Sequence, residues 1–209
     1  MTANDVQTAT SAPTDAGSKT IADWLGDMIA LESHIEEALD RQLGVAKDSP
    51  AASAAVQRFH DMVKGNRDAL KARQAEVGST AGNPVVKVGS TLLGKAAGLI
   101  DKVRAESVSK SLRDDYTAFN LAAVGHTMLH TTAVALGDKA TADLAAGCLT
   151  GHASAIQEIN HIIEDVVMED LRKDNLPIVD AAAADKTRAL VDKVWKATDA
   201  SNGKTKATR

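Results

Sequence analysis

The sequence has few aromatic residues, a single cysteine and no long hydrophobic run. Phe, Trp and Tyr together make up 2% of the 209 residues. Because Cys148 is the only cysteine, an internal disulfide framework and a zinc site built on a Cys-x-x-Cys pair are both excluded. No apolar stretch reaches the roughly 18 residues that a membrane-spanning helix requires. We therefore expect a globular cytoplasmic protein with no membrane partner.

Proline and net charge are also low. The four prolines, at positions 13, 50, 84 and 177, all fall between predicted helices, as expected for a residue that lacks an amide hydrogen. Hydrophobic residues make up 44% of the chain and charged residues 25%, which is typical of a globular domain. The net charge of -4 at pH 7 argues against a general nucleic-acid binder.

The first 18 residues have little to bury. They are mainly Thr, Ala, Ser, Asp and Gly, so we predict a disordered N-terminal arm over residues 1–18. They lack the basic start and the apolar segment of a secretory signal peptide.

Apolar residues recur at steps of three and four through most of the remaining chain, which predicts α-helices. The predicted helices cover residues 19–43, 51–77, 92–106, 109–136, 139–173 and 180–199. Two long helices, a long connection and two more long helices are the connectivity of a ferritin-like four-helix bundle. The sequence thus predicts an all-α bundle over residues 19–176, with a crossover between its second and third long helices. Residues 177–209 would form an extra C-terminal helix and a polar tail.

Polar residues interrupt the apolar stripes of three helices. Glu32 lies among the inward-facing residues of the first helix, where an unpaired carboxylate would be costly to bury. His126 and His130 are four residues apart on the third helix, a spacing that suits a shared metal ion. His152 lies on the apolar stripe of the fourth helix. The alternative is a hydrogen-bonded polar layer made of Glu32, Asn66 and a histidine.

Three further residues are interpreted as structural. Glu158 and His161 form a Glu-x-x-His pattern, which di-iron bundles use, but both flank the apolar stripe and are predicted to lie on the surface. Cys148 is predicted to pack in the interior rather than to react.

Four stretches occur in an order and spacing that match a known family. They are DMIALESHIEEAL at 27–39, KAAGLIDK at 95–102, FNLAAVG at 119–125 and LGDKATADLAAGCLTGHASA at 136–155. They are similar, in that order, to the first helix, the crossover, the third helix and the fourth helix of the YciE/YciF-like ferritin-like proteins. The chain resembles this bacterial, stress-associated family over about residues 20–165.

The resemblance implies a ferritin-like fold and a di-metal site held by carboxylates. Of the family's metal-binding positions, only Glu32 keeps a carboxylate here. The other positions are occupied by Lys64, Gly65 and Asn66 on the second helix, Asn120 or Ala122 on the third, and Thr150, Gly151 and His152 on the fourth. A di-iron centre needs several hard carboxylate oxygens, so we expect no ferroxidase activity.

Three functions are compatible with these residues. The first is a non-enzymatic, stress-associated or structural bundle without a cofactor, which forms a homodimer through its apolar crossover or the Leu190, Val194 and Trp195 stripe. The second is a protein that holds one transition metal, or iron weakly, through Glu32, His126 or His130, and His152. Zinc with water as a fourth ligand would suit this set.

The third candidate is nucleic-acid association through the C-terminal tail. Basic residues occupy positions 186, 188, 193, 196, 204, 206 and 209, against acidic residues at 185, 192 and 199. A solvated tail is the preferred interpretation of such a run, so we expect no nucleic-acid partner.

Overall fold

The structure, a computed structural model, describes residues 15–80 and 107–206. Within these ranges the chain forms five helices: α1 (Asp15–Ala46), α2 (Ser53–Thr80), α3 (Val108–Ala135), α4 (Lys139–Lys173) and α5 (Ala183–Lys206). The described ranges contain no β-strand, so the predicted all-α class is confirmed.

The N-terminal arm is shorter than predicted. The first helix begins at Asp15, so the last four residues of the predicted arm over 1–18 are helical. Gly17 is buried, which shows that this first turn packs against the rest of the bundle. Residues 1–14 and the predicted short helix at 92–106 lie outside the described residues.

The helices form two antiparallel hairpins that pack against each other. Glu32 meets His126 and Gln42 meets Asp115, so α1 runs antiparallel to α3. Arg58 meets Glu158 and Asn66 meets His152, so α2 runs antiparallel to α4. Since each hairpin is itself antiparallel, α2 and α3 run in the same direction. This is the arrangement that the predicted crossover requires.

The core lies between the inner faces of the first four helices. The inward stripes predicted for the first two long helices are buried: Ile21, Leu25, Met28, Ile35 and Leu39 on α1, and Val56, Phe59, Val63 and Leu70 on α2. For the third helix the spacing predicts an inward stripe of Tyr116, Phe119, Ala123, His126, His130 and Ala133. This prediction is partly wrong, because Tyr116, Ala123 and His130 lie at its half-buried edge. The buried stripe of α3 runs instead through Leu112, Asp115, Phe119, Ala122, His126, Leu129 and Ala133. The outer face of α3 is also apolar, so hydrophobicity alone distinguishes its two faces poorly.

A polar cluster joins the two hairpins at one end. Asp138 caps the N-terminus of α4 by accepting a hydrogen bond from the Thr141 amide at 3.0 Å. Arg73 on α2 donates to both Asp138 carboxylate oxygens at 2.8 Å and to the Thr141 hydroxyl at 2.9 Å. Gly137 turns the chain from α3 into α4 with a φ of 76°, a conformation that glycine adopts without strain. This turn lies in the break between the helices predicted over residues 109–136 and 139–173.

The C-terminal helix α5 packs mainly on α4 among the described helices. Arg188 on α5 pairs with Asp165 on α4 at 2.8 Å. The apolar stripe predicted for this helix stays largely uncovered, with Leu190, Val194 and Trp195 each more than half exposed. No helix in the described ranges has the length and hydrophobicity needed to cross a bilayer.

Candidate metal centre

Each helix of the bundle places one polar side chain in a single layer of the core. These residues are Glu32 on α1, Asn66 on α2, His126 on α3 and His152 on α4. Glu32, His126 and His152 have no exposed surface, and Asn66 is half-buried. We call these four residues the polar layer. They face inward because each lies on the buried stripe of its helix, at the spacing of its apolar neighbours.

The polar layer converges on one carboxylate oxygen. Nε2 of His126 and Nε2 of His152 each lie 2.7 Å from Oε1 of Glu32. Nδ2 of Asn66 lies 3.5 Å from the same oxygen and 3.4 Å from Nε2 of His152. The two imidazole rings stack, with centroids 5.5 Å apart and an interplanar angle of 23°. Phe119 packs against His152 at a centroid distance of 5.5 Å and helps to fix its orientation.

The electrostatics of the layer depend on Glu32. Burial by itself raises the pKa of this carboxyl group, but hydrogen bonds from His126 and His152, together with their charges, outweigh burial. The pKa of Glu32 therefore lies below its ordinary value, and the group is ionised at neutral pH. A carboxylate ionised in an apolar core needs a nearby positive charge, which either an imidazolium or a metal cation supplies.

The donor atoms of the layer fit a metal ion. Glu32, His126 and His152 each offer a ligand atom, and these atoms lie within 4.8 Å of one another. Oε2 of Glu32 has no hydrogen-bond partner, although it is fully buried. A cation held by this carboxylate and the two Nε2 atoms would give Oε2 a partner. Two nitrogens and a carboxylate suit zinc or a similar divalent ion, whereas a di-iron centre needs more carboxylates than the one found here.

The structure brings together three of the four candidate ligands. His126, not His130, is the α3 residue that joins Glu32 and His152, since His130 lies one turn further along the half-buried edge. Lys64 and Asn120, which the resemblance aligned with metal-binding positions, are both exposed. Lys64 therefore does not bring a positive charge into the layer.

The residues interpreted as structural lie where the sequence predicted. Glu158 forms an ion pair with Arg58 at the bundle surface, and His161 is exposed. Cys148 is buried one helical turn before His152. Burial, and then the charge of Glu32, raise the pKa of the Cys148 thiol to about 12, so it is unreactive at neutral pH.

Two repeated contacts around the polar layer were not predicted. Each layer histidine follows a glycine that lies against a methionine: a Cβ atom on Gly125 would be 2.6 Å from Met28 Sδ, and one on Gly151 would be 3.1 Å from Met62 Cγ. Met28 lies one turn before Glu32, and Met62 lies one turn before Asn66. Near the layer, α1 therefore packs on α3 in the way that α2 packs on α4. The repeated Gly-His dipeptide was the available sequence signal.

A second buried polar pair lies further along α1 and α3. Gln42 donates to Asp115 at 2.7 Å, and both side chains are almost fully buried. Burial raises the pKa of Asp115 to about 7, although the hydrogen bond from Gln42 opposes this increase. Asp115 lies four residues before Phe119 and three after Leu112, so the helical spacing could have identified it.

Comparison with known proteins places this architecture in a family. The profile described as "Domain of unknown function (DUF892)" matches residues 18–172. The chain belongs to this family. DUF892 is a family of the ferritin-like type, in agreement with the observed helix directions. The match includes the whole polar layer of this DUF892 protein and leaves α5 outside.

One solved structure has a similar fold. A protein from Xanthomonas campestris superposes with a TM-score of 0.60 at 12% sequence identity, and the match covers 77% of this chain and 99% of that chain. At this identity the similarity establishes the shared fold alone. No curated protein matches this DUF892 chain.

Proposed function

We propose that this DUF892 protein is a ferritin-like bundle that holds one divalent transition-metal ion between Glu32, His126 and His152 and has no ferroxidase activity. The observation that carries the proposal is the convergence of two imidazole nitrogens on one carboxylate oxygen, each at 2.7 Å, inside a fully buried layer. Among the three sequence-based candidates, the convergence of three buried ligand atoms supports the protein that holds one transition metal.

Only a small rearrangement separates the hydrogen-bonded layer from a metal centre. Ligand atoms about 2.0–2.1 Å from a tetrahedral zinc ion lie roughly 3.3 Å from one another. The nitrogen–oxygen distances of 2.7 Å would therefore have to increase by about half an ångström.

The burial of the layer supports a structural role for the ion. None of the three ligand residues has exposed surface, whereas a catalytic metal must exchange water or substrate. The ion would cross-link α1, α3 and α4 and would offset the cost of burying an ionised carboxylate. A stress-associated role, which the resemblance to the YciE/YciF-like proteins implies, belongs to the same proposal. So does a homodimeric state, which was expected from the apolar crossover and the Leu190, Val194 and Trp195 stripe.

Metal titration of the purified full chain tests the proposal. After EDTA treatment and dialysis, we expect one Zn²⁺ or Co²⁺ per chain by calorimetry, with a tetrahedral Co²⁺ absorption spectrum. Glu32→Gln and His152→Ala should abolish binding. The control His161→Ala removes an exposed histidine of the same helix and should bind normally.

Three results would contradict the proposal: no binding of either ion, two irons per purified chain, or oxygen-dependent oxidation of added Fe²⁺ above a protein-free control. The first would favour a metal-free hydrogen-bonded layer, because 2.7 Å is also an ordinary distance for a charge-assisted hydrogen bond. The other two would restore the di-iron interpretation.

A further inference from the structure

One member of the polar layer lies closer to solvent than the other three. Asn66 on α2 is half-buried, whereas Glu32, His126 and His152 have no exposed surface. An ion held by the three buried residues would therefore have the Asn66 side chain on its solvent side. Whether Asn66 binds that ion decides whether the centre is open to water or closed.

The end of the Asn66 side chain stands at the spacing of a metal ligand. Its Nδ2 atom lies 3.5 Å from Oε1 of Glu32 and 3.4 Å from Nε2 of His152. Ligand atoms around a tetrahedral zinc ion are roughly 3.3 Å apart. The amide group thus already has the separation that a fourth ligand needs from two of the three other ligand atoms.

The amide nitrogen of Asn66 makes only weak hydrogen bonds in its present orientation. Nε2 of His152 donates to Glu32, so it carries its own hydrogen and cannot accept one from Asn66. The two remaining contacts are Oε1 of Glu32 at 3.5 Å and Sδ of Met62 at 3.2 Å, and a thioether is a weak acceptor. A half-turn about the Cβ–Cγ bond therefore breaks no strong hydrogen bond and brings Oδ1 to the place of Nδ2.

We propose that Asn66 is the fourth ligand of the metal ion and binds it through its carbonyl oxygen Oδ1. This inference rests on the proposed function, because it needs an ion between Glu32, His126 and His152. With Asn66 included, each of the helices α1 to α4 supplies one ligand. A tetrahedral ion then has no position left for water, which is the arrangement of a structural metal centre.

Other side chains near the layer do not compete for the fourth position. Cys148 is buried one turn before His152, but its thiol does not belong to the group of ligand atoms that lie within 4.8 Å of one another among the described residues. His130 lies at the half-buried edge of α3, and Lys64 is exposed on α2.

Competition between the full chain and a zinc chelator tests the role of Asn66. Asn66→Leu keeps a side chain of similar size but removes the ligand oxygen, so it should bind Zn²⁺ at least about tenfold more weakly than wild type. Asn66→Asp should bind at least as tightly as wild type, because a second carboxylate balances the charge of a divalent ion. Gln57→Leu removes an exposed amide from the same helix and should not change the affinity.

The folding of Asn66→Leu is checked separately from its metal binding. In EDTA its helix content by circular dichroism and its melting temperature should stay close to those of wild type, because the amide makes no strong hydrogen bond in the layer.

Azide binding to the Co²⁺-loaded protein tests the closed site on wild type itself. Azide should leave the visible spectrum of Co²⁺-loaded wild type unchanged, because no ligand position is exchangeable. In Asn66→Ala a water molecule can take the fourth position, so azide should displace it and change the spectrum.

Three results would overturn this inference and leave the proposed function intact. They are equal Zn²⁺ affinities of Asn66→Leu and wild type, an azide-dependent spectrum of wild type, and an Asn66→Ala spectrum that azide does not change. Equal affinities would indicate that both carboxylate oxygens of Glu32 hold the ion instead. If wild type binds neither Zn²⁺ nor Co²⁺, the proposed function itself fails, and this inference fails with it.

Discussion

Gly125 and Met28 are in direct contact between α3 and α1, one position before His126 and one turn before Glu32. A Cβ atom on Gly125 would lie 2.6 Å from Met28 Sδ and 3.1 Å from its Cε. Met28 is itself buried, so its thioether has little room to move away. Glycine at this position sets how closely the two helices approach at the polar layer.

Gly125→Ala should destabilise the protein by about 0.5–2 kcal/mol, because the cost of forcing Met28 to repack in a filled core exceeds the gain in helix propensity. Gly147→Ala is the matched control, since a Cβ atom there would meet no neighbouring side chain within 4 Å, and it should stabilise α4 by about 0.5–1 kcal/mol. Urea denaturation followed by circular dichroism measures both. Equal changes of the same sign in the free energy of unfolding of the two variants would refute the close contact between Gly125 and Met28.

Asp115 should make the stability of the protein depend on pH. Its pKa rises from 3.8 to about 7 on folding, mainly through burial. Between these two values the folded state binds a proton that the unfolded state has released, so stability falls as pH rises from about 4 to 7 and then levels off. Each unit of pKa shift corresponds to about 1.4 kcal/mol.

Asp115→Asn should remove this dependence. In thermal melts from pH 4 to pH 8, the melting temperature of Asp115→Asn relative to that of wild type should rise with pH, because an amide carries no charge to bury. The exposed Asp143→Asn serves as the control and should follow the wild-type profile. If the two proteins differ in melting temperature by the same amount at every pH, the raised pKa of Asp115 would be contradicted.

Arg73 should contribute more to stability than an ordinary surface arginine. It donates to both oxygens of the buried Asp138 and to Thr141, and so ties α2 to the start of α4. Arg73→Ala should cost about 1–3 kcal/mol, because Asp138 loses its charged partner. Arg188→Ala, which removes a more exposed pair with Asp165, should cost under about 1 kcal/mol. Guanidinium denaturation measures the free energy of unfolding of both variants. A similar loss in the two would argue against a special role for Arg73.

The contact between His152 and Glu32 changes the effect that we expect from replacing His152. On an apolar stripe alone, replacement by leucine in a metal-free protein would be neutral or stabilising. Because His152 donates to the buried Glu32, His152→Leu in EDTA should instead cost about 1–3 kcal/mol. Replacing Glu32, His126 and His152 together by leucine should recover most of that loss, since no buried charge remains. Thermal unfolding in EDTA distinguishes the cases, and a triple variant less stable than His152→Leu would contradict this account.

The sequence was most informative where one face of a helix is apolar and the other charged. On α1 and α2 the inward stripes, including Glu32, were predicted correctly, because polar outer faces contrast with them. On α3 both faces are largely uncharged, so the choice between His126 and His130 could not be made from spacing alone. The convergence of Glu32 and His152 depends on how the hairpins pack, which is set by the long-range Met28–Gly125 and Met62–Gly151 contacts. A periodicity within one helix does not contain that information.

The paired methionine–glycine contacts give positions 32 and 66 matching surroundings on neighbouring helices. One of these positions holds the carboxylate of Glu32 and the other the amide of Asn66, whose side chain is one methylene shorter. Asparagine and aspartate codons differ by a single base, so one nucleotide change at position 66 would give the bundle a second acidic ligand without altering its backbone. In evolutionary terms, the number of acidic ligands in this centre can change by a single substitution.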